Sequence, residues 1–525
     1  MMVKKVLCFL LFFQSTVCLP AQHLFERVIG GPGSDVAVAI FNGGTKYYLA
    51  GTTTSGGAGS YDACLIQTDT FGNVLSATSA GNFGEDVVIS AAMTKQRDII
   101  MAGYTNSFGT EHPLIMKFDQ YGAFVWGKVL NVSGWAQGLT VDSSGSFFVT
   151  GYASLTNLDV FLAKYDSSGT LQWAMSCGDS LLNEGRAVLL SKDGGVLVSG
   201  TTHVHAGGPS DSFVFKTDSL GNLLWSYSYS VSGFYNWDLG YALTELGNDI
   251  VIGGLSYTGA FNPNPNSPDA LVVILDSLGT VKKGLAIGSA EYEDLRKLIV
   301  QDDATICLTG AGNLQTNGNT DILFMCIDTM GNILQQRQFG GSTFDHGLCL
   351  APLSNERMLI SGYSESFGSG LEDIYFIKNH ESILTCNAGN PSVSVLPIQI
   401  KQKEVFDANA LSIGILSPSF VSQSIFFTEQ TLCTITSVSE NKPAATLEFY
   451  PNPFSHEINI ALPKDSEKII SVSLVDMSGK ALLKVSNPSL TNEFLTLQTN
   501  SVAAGLYLLV IEYSSHLSSY RLVHK

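Results

Sequence analysis

Charged residues are scarce in this sequence, and basic residues are scarcer than acidic ones. Only 14% of the 525 residues are charged, with 28 Lys and Arg against 46 Asp and Glu, which gives a net charge of −18. A chain this acidic, with no cluster of basic residues, repels nucleic acid and anionic membrane surfaces. We therefore expect neither of these as a partner.

Long apolar runs are also missing, apart from one at the start of the chain. Lys4 and Lys5 precede the apolar residues 6–13, and the small residue Ala21 follows. This run is too short to cross a bilayer, and its flanks predict a secretory signal peptide at residues 1–21. A lipoprotein acylated at Cys18 is the alternative, but Val17 is the wrong size for that signal. We expect no transmembrane span.

Metal-binding patterns of cysteine and histidine are absent, so the sequence predicts no metal and no cofactor. Of the nine cysteines, four fall in apolar runs and are interpreted as buried thiols: Cys64, Cys307, Cys326 and Cys349. Cys177 is placed at a strand end. Cys386 and Cys433 flank the least regular region and could form a disulfide in an oxidising compartment.

The sequence does contain a short turn motif that occurs six times. Each copy has an Asp and, three residues later, a Gly; the aspartates are Asp69, Asp119, Asp166, Asp218, Asp276 and Asp328. An Asp that accepts backbone N–H bonds and a Gly in the left-handed conformation predict a hairpin turn. Calcium ligation is the alternative, but each turn offers only one acid where calcium needs several oxygen ligands.

A second repeat has a period near fifty residues. It is marked by glycines that end apolar runs: Gly51, Gly103, Gly151, Gly200, Gly254, Gly310 and Gly362. Each unit contains four candidate strands, and such a period is typical of a propeller or a solenoid. Trp126, Trp173 and Trp225 share one position in the fourth strand and are predicted to pack between neighbouring sheets.

The two ends of the array are complementary. Residues 23–31 resemble a lone fourth strand, and residues 345–379 provide three strands without a fourth. Together they complete a sheet, which favours a closed ring over a solenoid. The alternative outer strand is 382–386. We predict an all-β chain: a seven-bladed β-propeller at 22–383, a small β-rich appendage and linker at 384–446, and a C-terminal β-sandwich at 447–525.

The C-terminal segment resembles a known family. The motif residues are Tyr450, Pro451, Asn452, Pro453, Asp476, Gly479, Lys480, Gly505, Tyr507 and Lys525. Their order resembles the type A C-terminal sorting domain of the type IX secretion system. The resemblance implies a Bacteroidetes protein whose partner is this secretion machinery and which is exported through the periplasm to the outer-membrane surface or the extracellular space. The propeller repeats resemble those of similar secreted proteins.

An acidic position recurs at the start of the first strand of most units. Its members are Asp35, Asp86, Glu184, Asp238, Asp294 and Asp345. In a closed ring these side chains could form an acidic throat that binds a cation or a basic ligand. Alternatively, each could accept N–H bonds from the loop between two blades.

Two long loops, at 202–210 and 256–268, are predicted to emerge on one face. Their candidate ligand-binding residues are His203, His205, Tyr257, Phe261 and Asn262. The two histidines could bind a metal, but no third ligand is identifiable. Solvated loops without a ligand are the alternative.

Two functional hypotheses remain. The first is a non-catalytic module that binds a protein or a glycan, and the second is a glycan hydrolase or lyase with acidic groups in the channel. Because the acids are spread one per unit rather than paired, the sequence favours binding over catalysis. A structural spacer is the third possibility.

Overall fold

We describe a computed structural model of the chain. It describes residues 23–435 and 448–524, apart from the segments 155–156, 204–208, 232–236, 258, 262–266, 314–318, 354–356, 381–386, 390, 451–453, 462–468, 476–480, 487–493, 500–501, 504 and 514–516. The regular structure within these residues is β-strand. The chain forms two compact units, of which the first is His23–Thr436.

The first unit is a propeller of seven antiparallel sheets, here called blades 1 to 7. Its first strand, β1, spans Leu24–Gly30. Blades 1 and 2 contain β2 Asp35–Asn42, β3 Tyr47–Thr53, β4 Asp62–Thr68, β5 Val74–Gly81, β6 Asp86–Met93, β7 Ile99–Thr105, β8 His112–Phe118 and β9 Phe124–Leu130. Blades 3 and 4 contain β10 Gly134–Val141, β11 Phe147–Ser154, β12 Leu158–Tyr165, β13 Leu171–Gly178, β14 Asn183–Leu190, β15 Val196–His203, β16 Ser210–Thr217 and β17 Leu223–Val231. Blades 5 to 7 contain β18 Asp238–Leu246, β19 Asp249–Ser256, β20 Asp269–Leu275, β21 Val281–Gly288, β22 Lys297–Val300, β23 Ile306–Gly312, β24 Asp321–Ile327, β25 Ile333–Phe339, β26 Asp345–Leu353, β27 Arg357–Ser364 and β28 Asp373–His380.

The repeated turn motif joins the third and fourth strands of a blade, as predicted. In blade 1, Asp69 Oδ1 accepts the N–H groups of Phe71 and Asn73 at 2.8 and 2.9 Å. Gly72 has a φ of 82°, a left-handed conformation in which a β-carbon would be strained. The end of the propeller that carries these turns is called the lower face, and the opposite end, where the first strands begin, is the upper face.

The glycine repeat has a packing cause. A β-carbon at Gly254 would lie 1.7 Å from the carbonyl oxygen of Leu239 on the neighbouring first strand, and one at Gly51 would lie 1.8 Å from that of Val36. The same close approach recurs in every blade: Gly103 on Val87, Gly151 on Trp135, Gly200 on Glu184, Gly310 on Asp294 and Gly362 on His346. The period near fifty therefore marks the contact between the first and second strands.

The ring closes as predicted. β1 pairs with β28, with Glu26 opposite Ile377 and Val28 opposite Tyr375, so the start of the described chain completes blade 7. The alternative outer strand, 382–386, lies outside the described residues. Closure pairs the two ends of the array and leaves neither exposed.

The structure differs from expectation in the region that follows the last blade. Residues 388–435 do not form an appendage but travel once around the propeller and add a fifth, outermost strand to each sheet. These belt strands are β29 Ala388–Gly389, β30 Ser394–Ile398, β31 Ile400–Glu404, β32 Asp407–Ala410, β33 Ile415–Leu416, β34 Val421–Ser424 and β35 Thr428–Ile435. In chain order, the belt strands pair with the fourth strands of blades 6, 5, 4, 3, 2, 1 and 7. The belt therefore covers the outer edge of each blade, where unpaired backbone groups would otherwise be exposed.

Hydrophobic clusters fill the spaces between neighbouring blades. One cluster joins Val214 and Tyr229 of blade 4 to Ile252 and Leu271 of blade 5. The tryptophans of the fourth strands extend this contact between blades as predicted, because Trp225 lies against Gly279, the turn glycine of the next blade. The core of the propeller is thus a set of inter-blade layers around a central channel.

The cysteines differ in part from the prediction. Cys64, Cys177 and Cys349 are buried free thiols, but Cys307 and Cys326 form a disulfide. These two residues lie directly opposite each other on β23 and β24, with a Cα–Cα distance of 4.1 Å. Cys433 is disulfide-bonded, but Cys386 lies outside the described residues, so their pairing stays a prediction.

The second unit contains the C-terminal strands, in two sheets. The strands are β36 Glu448–Tyr450, β37 Glu457–Ala461, β38 Ile469–Val475, β39 Ala481–Ser486, β40 Phe494–Gln498, β41 Gly505–Tyr513 and β42 Leu517–His524. The sheets have the orders β36-β37-β40 and β39-β38-β41-β42, and residues such as Ile458, Leu474 and Leu509 form a core between them. In the sorting motif, Tyr450 pairs with Asn459, Gly505 begins β41, and the Tyr507 hydroxyl donates to the Ala503 carbonyl at 2.7 Å. The other motif residues lie outside the described residues: Pro451, Asn452, Pro453, Asp476, Gly479, Lys480 and Lys525.

Candidate functional site: the central channel and the upper face

Four of the predicted throat acids do not face the channel. Asp35, Asp86, Asp238 and Asp345 are 0% exposed. Asp35 Oδ2 accepts the Gly31 N–H at 2.8 Å, and Asp345 Oδ2 accepts the Gly341 N–H at 2.9 Å. Asp86 and Asp238 accept the N–H groups of the same kind of inter-blade loop. This is the alternative role that the sequence left open, so these carboxylates close loops between blades.

Glu184 and Asp294, the other two predicted throat acids, lie one residue after the loop-closing position at the start of the first strand. In blade 6 the loop-closing acid is Glu293, whose Oε2 accepts the Ser289 N–H at 2.9 Å, and in blade 4 the first strand begins at Asn183. The loop-closing residue precedes the repeat glycine of its blade by sixteen or seventeen residues, because the hairpin between the first and second strands varies in length by one residue. Spacing alone therefore could not fix the register of these two blades.

The channel is lined by the first strands of the seven blades and has a volume of about 350 Å³. Each first strand has two residues opposite one residue of the second strand, which is a β-bulge; in blade 6, Arg296 and Lys297 both oppose Thr309. The extra residues form a ring on the channel wall, here called the bulge ring: Val38, Ile89, Gln137, Arg186, Tyr241, Arg296 and Leu348.

The bulge ring is cationic on one side. Arg186 of blade 4 and Arg296 of blade 6 both lie over the ring of Tyr241, which lies between them on blade 5. Their guanidinium carbons are 4.9 and 4.4 Å from the centroid of that ring. Each arginine also has one carboxylate partner: Arg186 Nη2 is 2.6 Å from Glu184 Oε2, and Arg296 Nε is 2.8 Å from Asp294 Oδ2. In place of the predicted acidic throat, this side of the channel wall carries two arginines, and Glu184 and Asp294 are their ion-pair partners.

Asp294 is the most heavily bonded of these acids. It is 0% exposed and accepts bonds from the Tyr292 hydroxyl at 3.0 Å and the Ala311 N–H at 2.8 Å. His346 Nε2 lies 3.1 Å from Asp294 Oδ1, the oxygen that also accepts the Ala311 N–H. Burial alone would raise the pKa of Asp294, but His346, Arg296 and the Ala311 N–H outweigh burial and hold that pKa well below its usual range.

Lys297 is an additional cation that the sequence analysis did not single out. Lys297 directly follows the bulge residue of its blade, and the residues at the same place in the other blades are all small: Ala39, Ser90, Gly138, Ala187, Ala242 and Cys349. Its side chain is open to the channel, but the walls around it desolvate the ammonium and lower its pKa. The signal that could have identified it was a lysine in a register otherwise held by small residues.

The upper face carries an aromatic and acidic cluster beside blades 2 and 3. Trp135 stacks on Tyr104 with a centroid distance of 4.5 Å and an interplanar angle of 13°. The indole N–H of Trp135 donates to Glu111 Oε2 at 2.7 Å. Next to this stack lies a pocket of about 550 Å³, whose lining includes Asn106, Thr110, Glu111, Ser133, Tyr152 and Ser154.

The predicted loop residues lie on the same face. His203 and Tyr257 both meet Trp237: the His203 ring lies 6.3 Å from that of Trp237, and the Tyr257 N–H donates to the Trp237 carbonyl at 3.2 Å. Trp237 is 44% exposed and was not identified from the sequence. Phe261 packs beside Gly288. His205 and Asn262 lie outside the described residues. In the described part of the chain, no three His, Cys, Asp or Glu side chains are grouped to hold a metal ion.

Comparison with known proteins identifies the C-terminal unit. Residues 448–525 match the family model of the secretion system C-terminal sorting domain. The chain is therefore a propeller protein with a type IX sorting tail, which directs export to the cell surface or the extracellular space through the type IX machinery. Across the described residues, no helical segment is long and apolar enough to traverse a membrane.

Solved structures similar to the chain include a β-propeller domain. PorZ, a surface component of the type IX secretion system of Porphyromonas gingivalis, is 12% identical with a TM-score of 0.40, and the match covers 94% of this chain and 60% of PorZ. The polysaccharide lyase Uly1 is 10% identical with a TM-score of 0.44, covering 69% of this chain and 99% of the lyase. The β-propeller domain of the Trilobed protease from Pyrococcus furiosus is 9% identical with a TM-score of 0.37, covering 69% and 97%. No curated protein matches the sequence significantly.

Proposed function

We propose that the propeller is a non-catalytic module that binds a glycan at its upper face after export. The observation that carries this proposal is the pocket beside Glu111 and Tyr152. Its lining combines hydroxyl, amide and carboxylate groups with a tyrosine ring, which is the mixture of hydrogen-bonding and apolar contacts that a sugar needs.

The hydrogen-bonding groups of the pocket are well placed to serve a hydroxylated ligand. Glu111 uses one carboxylate oxygen on Trp135, and its other oxygen can accept from a sugar hydroxyl. Burial, followed by the charges of Glu184 and Glu111, raises the pKa of Tyr152, so its phenol stays protonated and can donate a hydrogen bond. Thr110 and Ser133, 3.3 Å apart, supply two further hydroxyl groups.

The acids of the propeller favour binding over hydrolysis. A catalytic acid needs both a raised pKa and access to the substrate. Asp238 and Glu293, whose pKa values burial raises to about 7, are 0% exposed at the blade junctions. Glu184 and Asp294 are instead paired with the arginines that line the channel.

The test is a glycan array with the full chain, followed by calorimetry of any hit. Tyr152→Phe removes a hydroxyl group of the pocket, and Glu111→Gln removes its negative charge and one acceptor oxygen; we expect binding that is roughly tenfold weaker for each. Tyr121→Ala, at an exposed turn on the lower face, is the matched control and should leave binding unchanged.

Three outcomes would contradict the proposal. They are a hit that is insensitive to both pocket variants, a protein ligand in place of a glycan in a parallel binding screen, and release of shortened sugar products. The last result would support the hydrolase or lyase hypothesis.

A further inference from the structure

The charges of the channel wall do not balance. Three cations line the channel, Arg186, Arg296 and Lys297, while Glu184 and Asp294 pair with the two arginines. Among the side chains that line the channel, three positive charges less the two paired carboxylates leave one, and it belongs to Lys297; His346, the second partner of Asp294, does not line the channel. Among the described residues, the Lys297 ammonium forms no ion pair.

The neighbours of Lys297 cannot supply the missing charge. Cys349, from the adjacent blade, is the sulfur group beside it, and burial raises the pKa of that thiol to about 12. The thiol is therefore neutral at ordinary pH. Lys297 is open to the channel and faces no counter-ion among the described side chains, so an anion from outside the chain can pair with its ammonium.

The arginines beside Lys297 keep unused donors. The Arg186 Nε group is buried and has no hydrogen-bond partner in the described structure. Arg296 uses Nε on Asp294, which leaves its terminal nitrogens for other contacts. Gln137, on the wall of blade 3, adds an amide. These donors converge on one cavity from blades 3, 4 and 6.

The remaining wall is apolar. Val38, Ile89, Leu139, Leu348 and Leu350 face the same channel as the cations. A ligand that matched both the cationic and the apolar part of the wall would have an anionic group at one end and a compact body with an apolar surface. The volume of about 350 Å³ lies near the lower limit of ligand pockets and suits one sugar ring rather than a polymer.

We propose that the central channel is a binding site for a small monoanion, a carboxylate or sulfate ester on a ring-sized body, whose anionic group contacts Lys297, Arg186 and Arg296. A single uncompensated charge in the wall favours one negative charge over the two of a phosphate monoester. This inference goes beyond the proposed function, because the channel and the pocket beside Tyr152 are different cavities.

The experiment is calorimetric titration of the full chain with sodium glucuronate and glucose 6-sulfate as probes. Glucose and glucose 6-phosphate are the neutral and dianionic comparisons. We expect saturable binding of one or both monoanions that exceeds the binding of either comparison. Lys297→Met, which keeps an unbranched side chain of nearly the same length but removes its charge, should weaken this binding roughly ten- to hundredfold.

Lys95→Met is the matched control, because Lys95 lies exposed on the hairpin between β6 and β7 and is not part of the channel lining. It should bind the probes as the original chain does. Arg186→Gln is a second channel variant that should weaken binding without removing Lys297. Tyr152→Phe should leave monoanion binding intact, so failure of this inference is distinguishable from failure of the glycan proposal.

A second measurement does not depend on binding heat. Brief amine labelling at neutral pH, read by mass spectrometry, should modify Lys297, and glucuronate or glucose 6-sulfate should protect it while Lys95 is unaffected. The inference is overturned if neither monoanion saturates the chain, if Lys297→Met binds them unchanged, or if Lys297 gains no protection.

Discussion

The lower-face turns and the channel wall are built by the same seven-fold repeat but differ in how strictly they follow it. At the turns of blades 1, 4 and 6, Asp69, Asp218 and Asp328 accept the same two backbone N–H groups at 2.8–2.9 Å. On the channel wall, the bulge ring changes from valine to glutamine, arginine and tyrosine around the same circle. What repeats therefore serves the fold, and the departures from the repeat indicate where a ligand could be recognised.

The largest expected effect breaks a repeated feature. In Gly254→Ala the new β-carbon would lie 1.7 Å from the Leu239 carbonyl oxygen, so the first two strands of blade 5 must separate. We expect the free energy of unfolding to fall by roughly 3 kcal/mol or more. Urea denaturation followed by tryptophan fluorescence measures this, because all five tryptophans lie in the propeller.

Gly194→Ala is the control for that variant. Gly194 has a φ of 87° but no atom within 4 Å of its β-carbon position, so only backbone strain of roughly 1 kcal/mol is expected. Equal losses for the two variants would show that the close approach does not explain the glycine repeat.

An intermediate effect concerns the buried acids at the blade junctions. Burial, together with the charge of the nearby Asp211, raises the pKa of Asp238 to about 7. Because the folded pKa exceeds the unfolded value of about 4, the stabilisation is complete below pH 4 and is lost as pH rises towards 7. We expect the free energy of unfolding to decrease over this range, and Asp238→Asn to reduce the decrease by about 1–3 kcal/mol.

The measurement for this prediction is a series of urea transitions between pH 4 and 7.5. Asp276→Asn, at a lower-face turn, is the control and should keep the pH dependence of the original chain. An unchanged slope in Asp238→Asn would contradict the assignment of this dependence to the blade junction.

The smallest effect is expected at a single turn. Asp69→Ala removes the acceptor of two backbone N–H bonds on an exposed hairpin, and we expect the melting temperature to fall by roughly one or two degrees. Asp69→Asn keeps an acceptor oxygen and should change it less. A loss as large as that of Gly254→Ala would mean that the turns, and not the strand contacts, control stability.

Parts of the fold could be predicted because they depend on local chemistry. The turn aspartates and glycines, the glycine period and the complementary ends of the array indicated seven blades and their closure by β1. The belt could not be predicted from hydrophobic alternation, because its strands bury little side-chain surface; all four residues of β32 and of β34 are exposed. These strands pair with the blade edges through backbone hydrogen bonds, and only some of their side chains, such as Ile400, Ile415 and Leu432, pack against the clusters between the blades.

The site was less predictable for a related reason. Glu184 and Asp294 were placed in the wrong register because a hairpin that varies by one residue moves every side chain to the other face of its strand. The Cys307–Cys326 disulfide depended on the same information, since it requires the two residues to be directly opposite. His203 and Tyr257 were correctly placed on one face, but Trp237 between them was not recognised.

The sequence by itself determined the class of the protein, its repeat and its export signal, because turn chemistry, strand alternation and the terminal motif act over short distances along the chain. Only the tertiary structure decided which side chains meet at the centre. Arg186, Tyr241, Arg296 and Lys297 lie on three different blades. Their convergence depends on bulges and hairpin lengths, since a shift of one residue reverses the direction of a side chain on a strand.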